Sequence, residues 1–459
     1  MNQKHIAVSI AAKTDIPPYV LASHAARMCY SAQLPEMGDL IDVENRLVKT
    51  GHLTAAAEHW FATFTISGIP VSNLVFGLHQ PGWPFYNTCQ RSGRFSPMYD
   101  NPDMDEIKST LNAYYPDVSQ ENINKACNWI RHGLKIYADN KKETEQLAAK
   151  IIKKERPNAT PKYIADQAPK LSQEQLRMFV SMISPTALDW TVNLATASGL
   201  YRTAWTPFLR DTMDKVAGLV KAYYPNMSCL FDIDPSKNVD FGWEPKMSTT
   251  YRGIKTKPEL TLLGHNYDDK KFVEDKSYDF IDTLRLHPMY QDNQMMHVKT
   301  RVHLDAGATG GQDQRHRTIM RSTPEFTGYF YLPPLLDISG LKSAADEFMQ
   351  EFYSLDIPDS MRMSIAPYGA MIQYEKDADL NALMHEQAKR TCWCAQEAIY
   401  HLACQLRSAL AKEIGEDAKL MKYLTPPCLL HGKCQEGVRY CGRNIANDMR
   451  DGYFRGRQI

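Results

Sequence analysis

The stretch Gln312-Asp313-Gln314-Arg315-His316-Arg317 gathers two guanidinium groups and an imidazole within three residues, just after the small-residue segment Ala306-Gly307-Ala308-Thr309-Gly310-Gly311. Arginine presents a planar fork of donors suited to phosphate, carboxylate or the polar edge of a base. The histidine between the arginines can hydrogen-bond either way and titrates near neutrality. Alone, the run reads either as a solvated basic patch or as part of a site for an anionic heterocyclic ligand. The rest of the chain must decide.

A chain of 459 residues can bury a large core, and its length predicts two or three domains. Its 43% hydrophobic and 23% charged residues fit an ordinary globular protein. Lys+Arg and Asp+Glu are both 53, so no net field draws the chain to nucleic acid or to an anionic membrane. Local arginine clusters then read as sites. No apolar run reaches the roughly 18 residues of a membrane span, and MNQKHIAVSI lacks the apolar core of a signal peptide. A cytoplasmic protein is expected, and the ten cysteines read as thiols or metal ligands.

Residues 5–11 predict a strand, and Pro17-Pro18 opens a helix carrying Ala22, Ala25 and Ala26. Residues 51–58 are helical in character, and Trp60–Ile69 turns to aromatic and β-branched residues, a strand pattern. Residues 78–97, rich in Pro, Gly and aromatics, predict a shaped loop. Its far end, Gln90-Arg91-Ser92-Gly93-Arg94, is a second set of anion-binding groups. Residues 102–175 are charged and helical and predict an inserted surface subdomain without chemistry. Residues 184–194 lead into a helix ending near Tyr223, and 226–260 connect two halves. Residues 341–353 predict a helix, and 377–414 one long helix with an apolar stripe at Ala395, Ile399, Leu402, Leu406 and Leu410.

Taken together, these stretches resemble one family, the flavin-dependent thymidylate synthases. Ala25-Ala26-Arg27-Met28-Cys29-Tyr30 matches its A-A-R-x-C-Y helix, and Glu58-His59-Trp60-Phe61-Ala62-Thr63-Phe64 resembles its E-H-x-x-F-T-F strand, with Ala62 at the first of the pattern's two Phe positions. The family hallmark, R-H-R-x-x-S-x-N-E-x-S-x-R-Y with a preceding Gln, is split. Its end survives in the first half as Gln90–Phe95 and its start in the second half as Gln312–Arg317. The later T-V-N-L segment also occurs twice, as Thr191-Val192-Asn193-Leu194 and as Asp379-Leu380-Asn381, the latter running on to Arg390 and Ala395-Gln396-Glu397-Ala398-Ile399. The resemblance implies an α+β fold of two tandem thymidylate-synthase-like domains, 1–240 and 241–459, each a mixed sheet flanked by long helices.

Family members share each nucleotide site between subunits, and each half here keeps what the other has lost. The resemblance therefore implies one competent site between the halves, in a homodimer that imitates a tetramer. Gln90, Ser92, Gly93, Arg94 and, through a looser match, Arg177 would come from the first half, with Gln312, Arg315 and Arg390 from the second. Ser92, the Gly93 amide and Arg94 would hold the phosphate. Gln312 and Arg315 would meet the uracil edge, and Arg390, with Arg315, would act on the reacting ring. His59, Asn193, His316 and Arg317 fall on flavin positions. The implied reaction moves a one-carbon unit from methylenetetrahydrofolate to C5 of a pyrimidine deoxynucleotide, dUMP first, with FAD as cofactor and NADPH as reductant.

Departures from the pattern bear on substrate choice. Gln90 stands where the family has Glu, Asp379 and Asn381 stand where it has Asn and Arg, and Pro81-Gly82-Trp83-Pro84 adds bulk. A hydroxymethylating variant, an enzyme for another pyrimidine nucleotide, and a nucleotide-binding homologue without turnover stay open. Near the end, Cys428, His431, Cys434 and Cys441 are spaced either for a structural zinc or for free thiols tying down a tail.

Overall fold

The computed structural model describes residues 6–79, 86–94, 99, 102–232, 245–274, 291–446 and 457–459. The expected boundary at 240/241, Phe95 and the Pro81–Pro84 insertion lie outside these residues.

Period-two burial builds the first sheet. In β2 (Phe61–Pro70), Ala62, Phe64 and Ile66 face the core while Thr63 and Thr65 turn away. With β1 (Ala7–Lys13), β3 (Tyr86–Gln90) and β4 (Pro185–Asn193) it forms an antiparallel sheet ordered β1-β2-β4-β3. Pro185–Asn193, which leads into helices ending at Tyr223 as expected, is itself strand, because Thr186, Leu188, Trp190 and Val192 alternate into the core. Within the expected loop, residues 86–90 pair with β4.

The second sheet contains β5 (Gly253–Lys255), β6 (Glu259–His265), β7 (His297–Asp305), β8 (Met320–Arg321), β9 (Glu325–Tyr331) and β10 (Ala370–Asp379). Its order is β5-β9-β10-β7-β6, with β8 also on β10. Only the β5–β9 pair is parallel, so this sheet is mixed while the first is wholly antiparallel. Read as β6-β7-β10-β9, it repeats the chain order of β1-β2-β4-β3. The correspondence extends to single residues. Asn193 pairs with Phe61, the first residue of β2, and Asp379 pairs with His297, the first residue of β7. Each then caps a helix: Asn193 Oδ1 accepts from Thr196 N and Asp379 Oδ1 from Ala382 N, both at 2.9 Å.

Helices Met104–Tyr114, Gln120–Glu155 and Pro161–Leu176 fill the expected helical stretch, but they are not a surface subdomain. The 36-residue middle helix buries Ile123, Trp129, Ile130 and Tyr137 in a core that runs through both halves. Trp129 stacks on Phe348, centroids 4.6 Å apart, and its Nε1 donates to the Phe348 oxygen at 2.9 Å. Gly133 permits the approach, since a Cβ there would stand 2.2 Å from the Phe179 oxygen.

The long helix expected over 377–414 is three pieces. β10 runs to Asp379, one helix spans Leu380–Arg390 and another Glu397–Ile414. The Asp379 cap starts the first helix, and the Thr391 hydroxyl donates to the Gln387 oxygen at its end. The intervening turn delivers Cys392, Cys394 and Ala395 to a cavity. Among the described residues no helix is long and apolar enough to cross a membrane.

Candidate nucleotide site

The opening hexapeptide is shaped by β7. Asp305, at its end, accepts from Ala308 N at 2.7 Å and so starts the short helix Ala306–Gly311. The small residues of that helix let it lie against the first half: a Cβ on Gly310 would fall 2.3 Å from Val75 Cγ2. A 3-10 turn over Asp313–Arg315 follows. The fully buried Asp313 carboxylate accepts from Lys376 Nζ at 2.6 Å, Arg321 Nε at 2.7 Å and the Tyr374 hydroxyl at 2.9 Å. Arg321 and Lys376 hold Asp313 well below the usual carboxylate range despite the cost of burial. Lys376 also reaches Glu386 at 2.5 Å, satisfying a second buried acid. The turn is thereby fixed, with Arg315 exposed and His316 buried.

The first half meets it through the segment after β3. Arg91 N donates to the Ala187 oxygen at 3.0 Å, extending the pairing with β4. Ser92 Oγ then accepts from Arg94 N at 3.3 Å. Arg94 Nε is bound by the buried Glu174 carboxylate, and Arg94 Nη2 donates to the Cys394 oxygen at 3.3 Å. Gln173 Nε2 donates to the Gly93 oxygen at 3.0 Å. Gly93 is required here, since a Cβ would sit 2.2 Å from the Tyr99 hydroxyl.

These two segments wall one cavity of about 890 Å³, a volume in the range of small-molecule sites. All eight residues assigned to substrate line it: Gln90, Ser92, Gly93, Arg94 and Arg177 from the first half, Gln312, Arg315 and Arg390 from the second. Arg390 donates to Gln312 twice, to Oε1 at 2.5 Å and to the backbone oxygen at 2.6 Å. Gln312 Nε2 is therefore oriented as a donor. Burial brings the Arg390 guanidinium down to about 10, so it stays charged near neutrality. Arg177 lies 5.0 Å over the Tyr368 ring and donates to Gln396 Oε1 at 2.8 Å.

Glu436, paired with Arg439 at 2.9 Å, is the one carboxylate among the described lining residues, against Arg91, Arg94, Arg177, Arg315, Lys389, Arg390 and Arg439. The wall is a field for an anion in a partly dry setting, where paired arginines act strongly. Three glutamines, Ser92, His316, His385, Tyr368, four cysteines and small apolar residues supply the remainder, a lining that suits an anion with a polar body.

The four residues assigned to flavin are scattered. His316 lines the cavity, its Nδ1 3.3 Å from His385 Nδ1 and its Nε2 buried without a described partner. Burial, then Arg390, keeps it well below the ordinary histidine range and hence neutral. Arg317 instead reaches β3, with Nη2 2.6 Å from Thr88 Oγ1, and also binds Asn87. Asn193 is the buried helix cap, and His59 is exposed at the start of β2. As walled by this one chain, the cavity does not gather a flavin set.

The four residues expected for zinc are not gathered into one group. No group of three or more His, Cys, Asp or Glu among the described residues is placed to hold a metal. His431 is exposed beyond the short helix Pro427–Leu430, Cys441 is buried with Trp393 and Tyr400, and Cys428 and Cys434 line the cavity. All ten cysteines are free.

Gln173 and Glu174 come from the stretch to which no chemistry was assigned. No motif flags them, and only their position at the buried end of an amphipathic helix would have done so. His385 and Tyr368 were likewise missed.

No protein-family model matches the chain, and no curated protein does. Among solved structures, the crystal structure of the UMP/dUMP methylase PolB from Streptomyces cacaoi bound with 5-Br dUMP is similar to part of it. The two share 12% identity over 50% of this chain and 95% of that one, with a TM-score of 0.31.

Proposed function

We propose that the chain is a pyrimidine-nucleotide C5 methylase of the flavin-dependent thymidylate synthase type, built from two diverged copies of one domain. One observation carries the reading: the two surviving parts of the split motif, more than two hundred residues apart, line a single cationic cavity. The repeated strand order supports descent from a duplication.

In this proposal Arg94, held by Glu174, binds the phosphate together with Ser92 and the Gly93 amide. Gln312, fixed by Arg390, donates to a carbonyl oxygen of the base, and Arg315 and Arg390 stabilise negative charge on the ring during attack at C5. FAD is the proposed cofactor, and when bound it supplies the reducing equivalents, with NADPH and methylenetetrahydrofolate as co-substrates. The flavin-assigned side chains are scattered within this one chain.

A homodimer belongs to the same proposal. Ile16, Met28, Tyr30, Leu34, Met37, Leu40, Leu53 and Phe61 are large apolar side chains left exposed within one stretch of the first half, and the exposed His59 lies beside Phe61. A second copy covering those side chains would bury them and bring its own groups to the exposed His59.

The second reading, a nucleotide-binding protein without turnover, is favoured by the scatter of His59, Asn193 and Arg317. Incubation with FAD, NADPH and methylenetetrahydrofolate, with dUMP, dCMP or UMP, separates the readings. Turnover of dUMP to a product heavier by one methylene unit supports the enzyme. A protein that neither binds FAD nor alters any nucleotide, yet binds dUMP, supports the other.

A further inference from the structure

A second cavity, of about 900 Å³, shares no lining residue with the first. One face of helix Glu397–Ile414 forms its floor: His401, Cys404, Gln405, Ser408, Ala409 and Lys412 recur at helical spacing, while Leu402, Leu406 and Leu410 point to the core. The helix is thus lined on two sides, one solid and one hollow. Gln405 fixes the facing strand by accepting from Leu260 N at 2.9 Å and donating to the Pro258 oxygen at 2.8 Å.

The walls divide by chemistry. Leu260, Leu262, Pro334 and Ala409 make an apolar side. Lys257, Lys412 and Arg457 make a cationic side, with Glu413 the one carboxylate among the described lining residues. None of the three cations makes a direct ion pair with a described acidic side chain, while the buried Glu174 and Glu397 act on Arg457 from farther off. Arg457 is only 2% exposed. Its Nε donates to the Ile459 oxygen at 2.6 Å and its Nη1 to the Ala395 oxygen at 2.9 Å, while Nη2 has no described partner. A buried guanidinium with an unmet donor is costly unless something accepts from it.

We infer that this cavity binds a small phosphate monoester with an apolar body, its phosphate on Arg457, Lys257 and Lys412 and its body against Leu260, Leu262 and Ala409. The inference does not depend on the proposed reaction. Arg457 also donates to the backbone oxygen of Ala395, a residue that lines the first cavity, so one side chain links the two walls.

Calorimetric titration with 1-naphthyl phosphate tests it in the full chain carrying Arg94→Ala, which disables the first cavity. Saturable binding is expected there, weakened about tenfold or more by Ala409→Trp, which fills the space, and by Lys257→Glu with Lys412→Glu. Uncharged 2-naphthol should bind more weakly than the phosphate by a similar factor. Melting temperature reports whether Ala409→Trp folds, and the exposed lysine pair carries the test if it does not. Absence of saturable binding, or binding indifferent to the charge reversals, overturns the inference.

Discussion

Gln314 Nε2 donates to the Val75 oxygen at 2.7 Å, a buried bond joining residues 239 apart in sequence. It fastens the turn that carries Arg315 to the helical segment after β2 of the other half. The cavity exists because that joint is tight, and its tightness depends on a missing side chain at Gly310, beside the same valine.

Gly310→Ala should therefore destabilise the protein by about 1–3 kcal/mol through overpacking. Adding Val75→Ala should restore part of the loss, because the two sites are in contact and their effects do not add. Denaturant melts of the single and double variants measure the coupling. Additive effects would place the strain elsewhere.

Glu174→Gln keeps the shape and an acceptor but removes the charge that orients Arg94. The expected loss of dUMP affinity is about 1.5–3 kcal/mol, roughly tenfold to a hundredfold. Deoxyuridine, which lacks the phosphate, should be affected little. An equal loss for both ligands would mean that Glu174 supports the cavity generally and not Arg94.

Glu397 is fully buried against the Tyr331 hydroxyl, and burial pushes its carboxyl up to about 8. In the unfolded chain it ionises near 4.5. Between those values the folded protein holds a proton that the unfolded chain releases, so its contribution to stability falls as pH rises from about 4.5 to 8. Glu397→Gln should flatten that slope and raise the melting temperature at pH 8 more than at pH 5. Parallel melting curves across that range would show that Glu397 is already ionised in the fold.

Much of the site was legible because its chemistry is local in sequence. Gln90–Arg94 and Gln312–Arg315 are short runs whose residue types announce an anion site, and the duplicated segments around Asn193 and Asp379 mark matching strand ends. What the sequence did not reveal depends on distance or burial. Glu174 looks like any helical acid until the helix end is seen under Arg94. The break between Arg390 and Glu397 is hidden because both helices carry apolar residues at helical spacing, and a strand ending in a capping Asp379 resembles a helix start. The cysteine spacing suggested zinc, but His431 faces outward while Cys441 packs on Trp393 and Tyr400.

The central claim is that one site is shared between the halves. Equilibrium titration of dUMP against the native chain, Arg94→Ala and Arg315→Ala tests it most directly, since the two arginines lie 221 positions apart but line one cavity. Each variant should bind dUMP about tenfold or more weakly while melting like the native protein. Loss in only one of them, with native affinity in the other, would contradict the shared site.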